Sequence, residues 1–296
     1  MPEQTNIPDC IPPDRHPRKP NTTLPAGSID THVHVFDSRY PLSPARGYNP
    51  PNSTLDDLTH LHSTLGIDRV VFTQPSVYGT DNRAIEDGVA SLNADKPDRA
   101  RMVVSAGKDV SEAEIAGWDA RGGRGIRLNL DNKGGMPLKL NEIVDLVAKL
   151  KPFGWHLEWL FPGCQIVELM PILSSTGIPQ SIGHFAYQPA SAGIGSPGFQ
   201  ALLELVREGR TWVKISGANR VSATDLPPYH DVEPMVHALI EVAADRIMWG
   251  TDWPHPNKFE VNPNDGDLVD AFGEWVRDDE LRAKIMVGNP EAFYRF

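Results

Sequence analysis

The sequence is poor in several things, and each shortage removes a class of protein. Among its 296 residues are two cysteines, Cys10 and Cys164, too few for a disulfide framework, so free thiols in a reducing compartment are expected. No stretch approaches the ~18 consecutive apolar residues of a membrane helix, and the first six residues lack the apolar core of a secretory signal. Positive charge is scarce: 28 Lys and Arg against 39 Asp and Glu leave a net charge of −11. Proteins that grip a phosphate backbone or an anionic bilayer carry the opposite excess. A cytoplasmic setting is therefore expected, with no nucleic-acid and no membrane partner. No Gly-x-Gly-x-x-Gly follows the first apolar strand, which speaks against a dinucleotide-binding open sheet, and no organic cofactor is expected.

What is present builds a core: 40% of the residues are hydrophobic. Residues 1–26 are the exception. Pro8, Pro12, Pro13, Pro17, Pro20 and Pro25 fall among polar residues there, a composition that drapes over a core and does not form one. The expectation is an irregular N-terminal arm over 1–26 followed by a single domain over 27–296. Within 27–296, eight β-rich runs are readable: Ser28–Phe36, Arg69–Ser76, Arg101–Lys108, Gly125–Leu130, Trp155–Phe161, Pro179–Ala186, Thr211–Gly217 and Arg246–Trp253. Between them, apolar residues recur three and four apart, as in Leu55, Leu58, Leu61 and Leu65, then Ile85, Val89 and Leu92. Ser111 and Glu114 form a capping box ahead of Ile115 and Trp118, and Asn141 opens a helix carrying Ile143, Val144, Val147 and Leu150. Eight strand–helix units without a break in composition predict an α/β fold, a closed (β/α)8 TIM barrel.

In such a barrel the C-terminal strand ends converge on one mouth. The first strand reads Ile29-Asp30-Thr31-His32-Val33-His34, and alternation puts His32 and His34 on one face. Two imidazoles so placed bind a divalent metal, donate hydrogen bonds to a substrate oxygen, or simply pack. The eighth strand ends in Gly250-Thr251-Asp252-Trp253-Pro254-His255-Pro256-Asn257. An Asp there can cap the next helix, but the rigid aromatic turn after it is a poor helix start and a good pocket wall. A carboxylate at that point suits proton abstraction from water.

These two motifs, with Gly79-Thr80-Asp81-Asn82, Gly125-Ile126-Arg127-Leu128-Asn129 and Gly288-Asn289-Pro290, resemble the amidohydrolase superfamily. More narrowly they are similar to its 2-pyrone-4,6-dicarboxylate lactonase branch, near the sulfomuconolactone hydrolases. The resemblance implies a small anionic lactone as partner and substrate, opened by water in aromatic-compound catabolism. It makes Asp252 the general base, with His32, His34 and His184 around the scissile carbonyl. It assigns Arg127, Lys133, Arg220 and Asn257 to the substrate side; Tyr187 replaces an arginine there, Leu160 stands near a tyrosine position, and His255 joins the same wall. Lys133 stands where the branch has arginine, keeping the charge and losing bidentate geometry.

For metal, Arg127 on the fourth strand and the absence of a well-placed fifth-strand ligand beyond His156 and Glu158 argue against a binuclear centre. One Zn²⁺ held by His32, His34, His184 and Asp252 is chemically reasonable; the same residues working without metal are the alternative. A decarboxylase, a sugar-lactone isomerase with Asn in place of Asp252, and a non-catalytic ligand-binding barrel are the competing functions. His16, His60, His62, His230 and His237 are expected on the surface or in packing, and Trp118, Trp212 and Trp275 in the core. Trp159, Trp253 and Tyr187 are candidates for the pocket wall, and Arg277–Glu280 for a solvated helix boundary.

Overall fold

The computed structural model describes residues 7–135 and 137–296. All eight apolar runs become parallel strands in the order β1 to β8. They are β1 (Ile29–Val33), β2 (Arg69–Thr73), β3 (Ala100–Val104), β4 (Gly123–Asn129), β5 (His156–Leu160), β6 (Gln180–Ile182), β7 (Thr211–Lys214) and β8 (Ile247–Met248). Eight helices alternate with them: α1 (Leu55–Leu65), α2 (Arg83–Asp95), α3 (Glu112–Ala120), α4 (Ile143–Leu150), α5 (Ile166–Ser175), α6 (Pro197–Arg207), α7 (Glu233–Ala243) and α8 (Asp265–Trp275). Two short helices, α9 (Asp279–Ala283) and α10 (Asn289–Tyr294), follow. The chain folds as the expected (β/α)8 barrel.

The start of α3 follows its sequence signal, but the helix expected to open at Asn141 does not: a 3-10 turn, Leu140–Glu142, precedes α4, whose start at Ile143 has no side-chain cap. Ser111 and Glu114 form the reciprocal capping box of α3, and Thr54 with Asp57 forms another at α1. In α4 the buried stripe is Ile143, Leu146 and Leu150; Val144, one step round the helix, is 74% exposed, so only part of the expected apolar set faces inward.

All eight strands stop short of the expected C-terminal ends, six of them by three residues or more. The run to Ala186 ends at Ile182, and His184, Phe185, Ala186 and Tyr187 all have φ between 52° and 54°. The β8 run to Trp253 ends at Met248. Its backbone still closes the barrel against β1, since Thr31 N–H donates to the Trp249 carbonyl, Asp252 N–H to that of His32, and His34 N–H to that of Trp253. Gly250 makes this approach possible: a Cβ there would lie 2.8 Å from the His32 nitrogen and 3.0 Å from Asp30 Oδ1.

At the other end Tyr294 of α10 plugs the barrel, packed with Ile29, Val71, Val103 and Met248. Apolar burial between strands and helices supplies the driving force, each fully buried Val, Leu or Ile contributing about 1.5–3 kcal/mol. The arm residues 7–26 are extended and irregular; Arg18 ties them to Asp267 and Asp270 of α8. Among the described residues no helix is long and apolar enough to cross a membrane. Cys10 is buried and Cys164 exposed, both free.

Candidate active site

Three imidazoles and one carboxylate converge at the mouth. His32 and His34 leave the end of β1, His184 follows β6, and Asp252 follows β8; all four are buried. Asp252 has φ 65° and His184 φ 53°, strained conformations for residues with a side chain, such as the fold holds where a group must be aimed. The three Nε2 atoms lie 3.9, 3.9 and 3.6 Å from one oxygen, Asp252 Oδ1. Both that oxygen and His32 Nε2 lack a hydrogen-bond partner.

The far side of each ring is anchored. His34 Nδ1 donates to the Thr73 carbonyl at 2.7 Å, His184 Nδ1 meets Ser216 Oγ at 3.0 Å, and His32 Nδ1 lies 3.2 Å from Lys214 Nζ. A carbonyl only accepts, so the His34 proton sits on Nδ1 and its Nε2 lone pair faces Asp252. Burial, with Arg127 adding to it, pushes His34 down to about 3. Burial likewise lowers His184 to about 3 and His32 well below its usual range. All three rings are neutral at neutral pH.

The other Asp252 oxygen is held. Arg220 Nε donates to Oδ2 at 2.6 Å, and Arg220 Nη2 donates to the Pro256 carbonyl at 2.8 Å. Burial alone would raise the Asp252 carboxyl, but the Arg220 guanidinium beside it, together with the surrounding His184, His34 and His255, outweighs that and holds it well below the usual carboxylate range. Asp252 is thus an ionised acceptor with one oxygen fixed and the other free.

Beneath lies a second buried pair. Lys214 of β7 donates to Glu158 of β5 at 2.5 Å and to the Thr31 carbonyl at 2.7 Å. Asp30 ties β1 to the β8 turn by accepting from Thr251 N–H at 3.0 Å and Thr251 Oγ at 2.6 Å, with His62 Nε2 at 3.3 Å.

The cleft above these groups has a volume of about 290 Å³. Of the expected residues, His34, Arg127, His184, Tyr187, Arg220, Asp252 and Asn257 line it, as does Leu160. Tyr48, Asn129 and Asn132 line it too, and sequence reasoning missed them. Two expected substrate residues stand elsewhere. Lys133 is exposed in the loop after β4 and is outside the lining. His255 is fully buried with Nε2 3.1 Å from Asp265 Oδ1, bracing the turn and not facing the cleft. Trp159 donates to Gln180 inside the barrel, and Trp253 packs toward the arm, so of the three aromatic candidates Tyr187 alone borders the cleft. His62 packs as expected. A larger cavity, with about 1130 Å³ of empty space counting open solvent, lies between α1 and α2 outside the mouth; there Arg39 pairs with Asp37 and the Tyr40 hydroxyl donates to Asp87.

The donor set has the spacing of a cation site. His32, His34 and Asp252 each offer one ligand atom, all within 4.8 Å of one another. In a tetrahedral zinc centre with bonds of about 2.0–2.1 Å the ligand atoms stand about 3.3 Å apart, so the 3.6–3.9 Å from each Nε2 to Asp252 Oδ1 would need to close by a few tenths of an ångström, and the remaining separations, up to 4.8 Å, by more.

Known proteins match this geometry over the whole barrel. The family model described as Amidohydrolase matches residues 29–296. The 4-sulfomuconolactone hydrolase of Hydrogenophaga intermedia is 34% identical over 292 residues, covering 97% of this chain and 95% of that one. The 2-pyrone-4,6-dicarboxylate hydrolase of Comamonas testosteroni is 32% identical, with 94% and 93% covered. A protein of the 2-pyrone-4,6-dicarboxylic acid hydrolase type from Acinetobacter baumannii, crystallised with citric acid bound, superposes with a TM-score of 0.78 at 26% identity, covering 91% of this chain and 100% of that one. The chain belongs to the amidohydrolase family, in the branch that holds the sulfomuconolactone and pyrone-dicarboxylate hydrolases.

Proposed function

We propose that this chain is a carboxylic-ester hydrolase that opens a small anionic lactone with water, a step in aromatic-compound catabolism. One observation carries the reading: the free Oδ1 of an ionised Asp252 faces three neutral imidazoles across a gap that borders Arg127. Asp252 Oδ1 takes a proton from water as the oxygen attacks the lactone carbonyl. His32, His34 and His184 surround the carbonyl oxygen, and those carrying Nε2–H stabilise its developing charge. The ring C–O bond breaks, and Asp252 returns the proton to the leaving oxygen, so the product is the ring-opened hydroxy acid or its keto tautomer.

Arg220 fixes Asp252 and keeps it ionised, at the cost of a weaker base. Arg127 has an unpartnered Nε and a second nitrogen on the Gln74 carbonyl. It is the cation in the lining with no acidic partner, and it receives the substrate's carboxylate or sulfonate. Tyr187 and Asn257 shape the wall, Lys133 attracts the anion at the rim, and His255 steadies the Asp252 turn. Sulfonated and carboxylated lactones are the substrates named for the relatives above, and both suit a cationic cleft.

If one Zn²⁺ binds, His32, His34, His184 and Asp252 are the residues that would hold it, and it would polarise the carbonyl and acidify water. The experiment is acid release from a panel of anionic lactones in weakly buffered indicator solution. The wild-type protein releases acid, and Asp252→Asn binds the same lactone with a turnover lower by about 10³-fold or more. No acid from any lactone, or near-normal turnover by Asp252→Asn, defeats the reading.

A further inference from the structure

The floor beneath His32 is an ammonium, and counting its hydrogens fixes the ring above it. Lys214 is fully buried; burial pulls its ammonium below the usual lysine range, and the Glu158 carboxylate 2.5 Å away opposes that and pairs with it as an ammonium. An ammonium has three N–H bonds and no lone pair. Three atoms lie within hydrogen-bond distance: Glu158 Oε2 at 2.5 Å, the Thr31 carbonyl at 2.7 Å and His32 Nδ1 at 3.2 Å. Each must act as an acceptor. The other group near Nδ1 that accepts is Glu158 Oε1, at 3.7 Å, beyond the reach of an N–H···O bond. A neutral imidazole that accepts at Nδ1 carries its proton on Nε2.

We propose that Lys214 and Glu158 are positioning residues that hold His32 with its proton on Nε2, so that His32 meets the lactone carbonyl as a hydrogen-bond donor and not as a metal ligand. Two residues along the same strand end the arrangement is reversed: His34 donates from Nδ1 to the Thr73 carbonyl and presents a lone pair at Nε2. The two imidazoles of one His-x-His therefore play opposite parts. His32 Nε2–H points at charge that grows on the carbonyl oxygen, and the His34 lone pair accepts from the attacking water. Zinc at this site requires a lone pair on His32 Nε2, hence a proton on Nδ1 exactly where the ammonium stands. A buried ion pair is an expensive way to fill a barrel, since apolar side chains of the same volume usually serve stability as well or better. Setting a tautomer is a task that apolar side chains cannot perform.

The role given to His32 rests on the lactone-hydrolase reading; its tautomer does not. The test uses the full chain, labelled with ¹⁵N-histidine and treated with chelator, in long-range ¹H–¹⁵N correlation spectra near neutral pH, with His32 assigned by the signals lost in His32→Gln. The expected result is a proton on Nε2 of His32 and on Nδ1 of His34. A proton on Nδ1 of His32 in the wild-type protein overturns the proposal, whatever the activity. The second arm is the double variant Glu158→Gln/Lys214→Met, which removes both charges together. Its His32 signal shifts toward the Nδ1–H form, kcat falls about 10- to 100-fold with KM within about threefold, and zinc affinity measured with a competing indicator rises at least tenfold over wild type. A folded double variant with wild-type tautomer, kcat and zinc affinity overturns the proposal, and if that variant does not fold the wild-type spectrum decides alone. Absence of lactone hydrolysis together with Nε2–H on His32 removes the functional reading and leaves the tautomer assignment standing.

Discussion

Two buried ion pairs sit a few ångströms apart in the same barrel, and they are built by different means for different ends. Lys214–Glu158 lies between neighbouring parts of the sheet: β5, β6 and β7 pair in register, Glu158 opposite Ser181 and Ser181 opposite Trp212, and both charged side chains are sealed from solvent. Arg220–Asp252 lies above, on two turns past the strand ends, beside the cleft. Both pairs bond strongly, at 2.5 and 2.6 Å. Each leaves one carboxylate oxygen without a partner, Glu158 Oε1 and Asp252 Oδ1, but only Asp252 borders the cleft. A buried charge pair is thus not in itself a mark of chemistry; an unshared lone pair at a cavity is.

Breaking the lower pair on one side tests this most severely. Lys214→Met leaves Glu158 charged and uncompensated among apolar atoms, so unfolding free energy should drop by about 3–5 kcal/mol, read by urea denaturation with the slope unchanged. Arg220→Gln should cost less stability, because the cleft can hydrate Asp252, and more catalysis. Its kcat is expected to fall about 10- to 100-fold through loss of orientation. Its pH profile carries the sharper signal. In the proposed mechanism the active form is ionised Asp252, and Arg220 depresses its pKa, so the acid limb of kcat/KM in the wild-type protein is expected below the ordinary carboxylate range. Removing Arg220 should move that limb upward by about 1–3 pH units. An equal stability loss in both variants, or an unmoved acid limb, dissolves the contrast. The gentlest test compares cations at the cleft and at the rim: Arg127→Met should raise KM for an anionic lactone about 10- to 100-fold, in line with loss of a charge-assisted contact of about 1.5–3 kcal/mol. Lys133→Ala should change it less than about threefold, as expected of an exposed charge. Equal effects would place Lys133 in the binding site after all.

The barrel was legible in the sequence because its signal is periodic. Runs such as Arg69–Ser76 and Trp155–Phe161 alternate with stripes such as Leu55, Leu58, Leu61 and Leu65; the strands are buried almost throughout and the helix along one stripe. His32, His34 and Asp252 were legible as polar residues at strand ends, and His184 through its resemblance to the amidohydrolase pattern. What escaped lies beyond the strands. No local pattern announces that His184 to Tyr187 all turn left-handed, that His255 rotates onto Asp265, or that Tyr48 reaches the cleft from the long loop after β1, since those placements come from contacts distant in sequence. Lys214 did leave a trace: a lysine between Val213 and Ile215, in a strand whose other residues are apolar or uncharged, must either snorkel or find a buried partner.

The arm has a consequence for the order of events in a growing chain. Arg18, near the start, binds Asn264, Asp267 and Asp270, nearly 250 positions later. Gly266 packs so closely on it that a Cβ would overlap the Arg18 carbonyl. Asp265, one residue earlier, braces His255 behind the Asp252 turn. The segment around Arg18 can therefore dock only once α8 has formed far along the chain, and contacts of such long sequence separation form late.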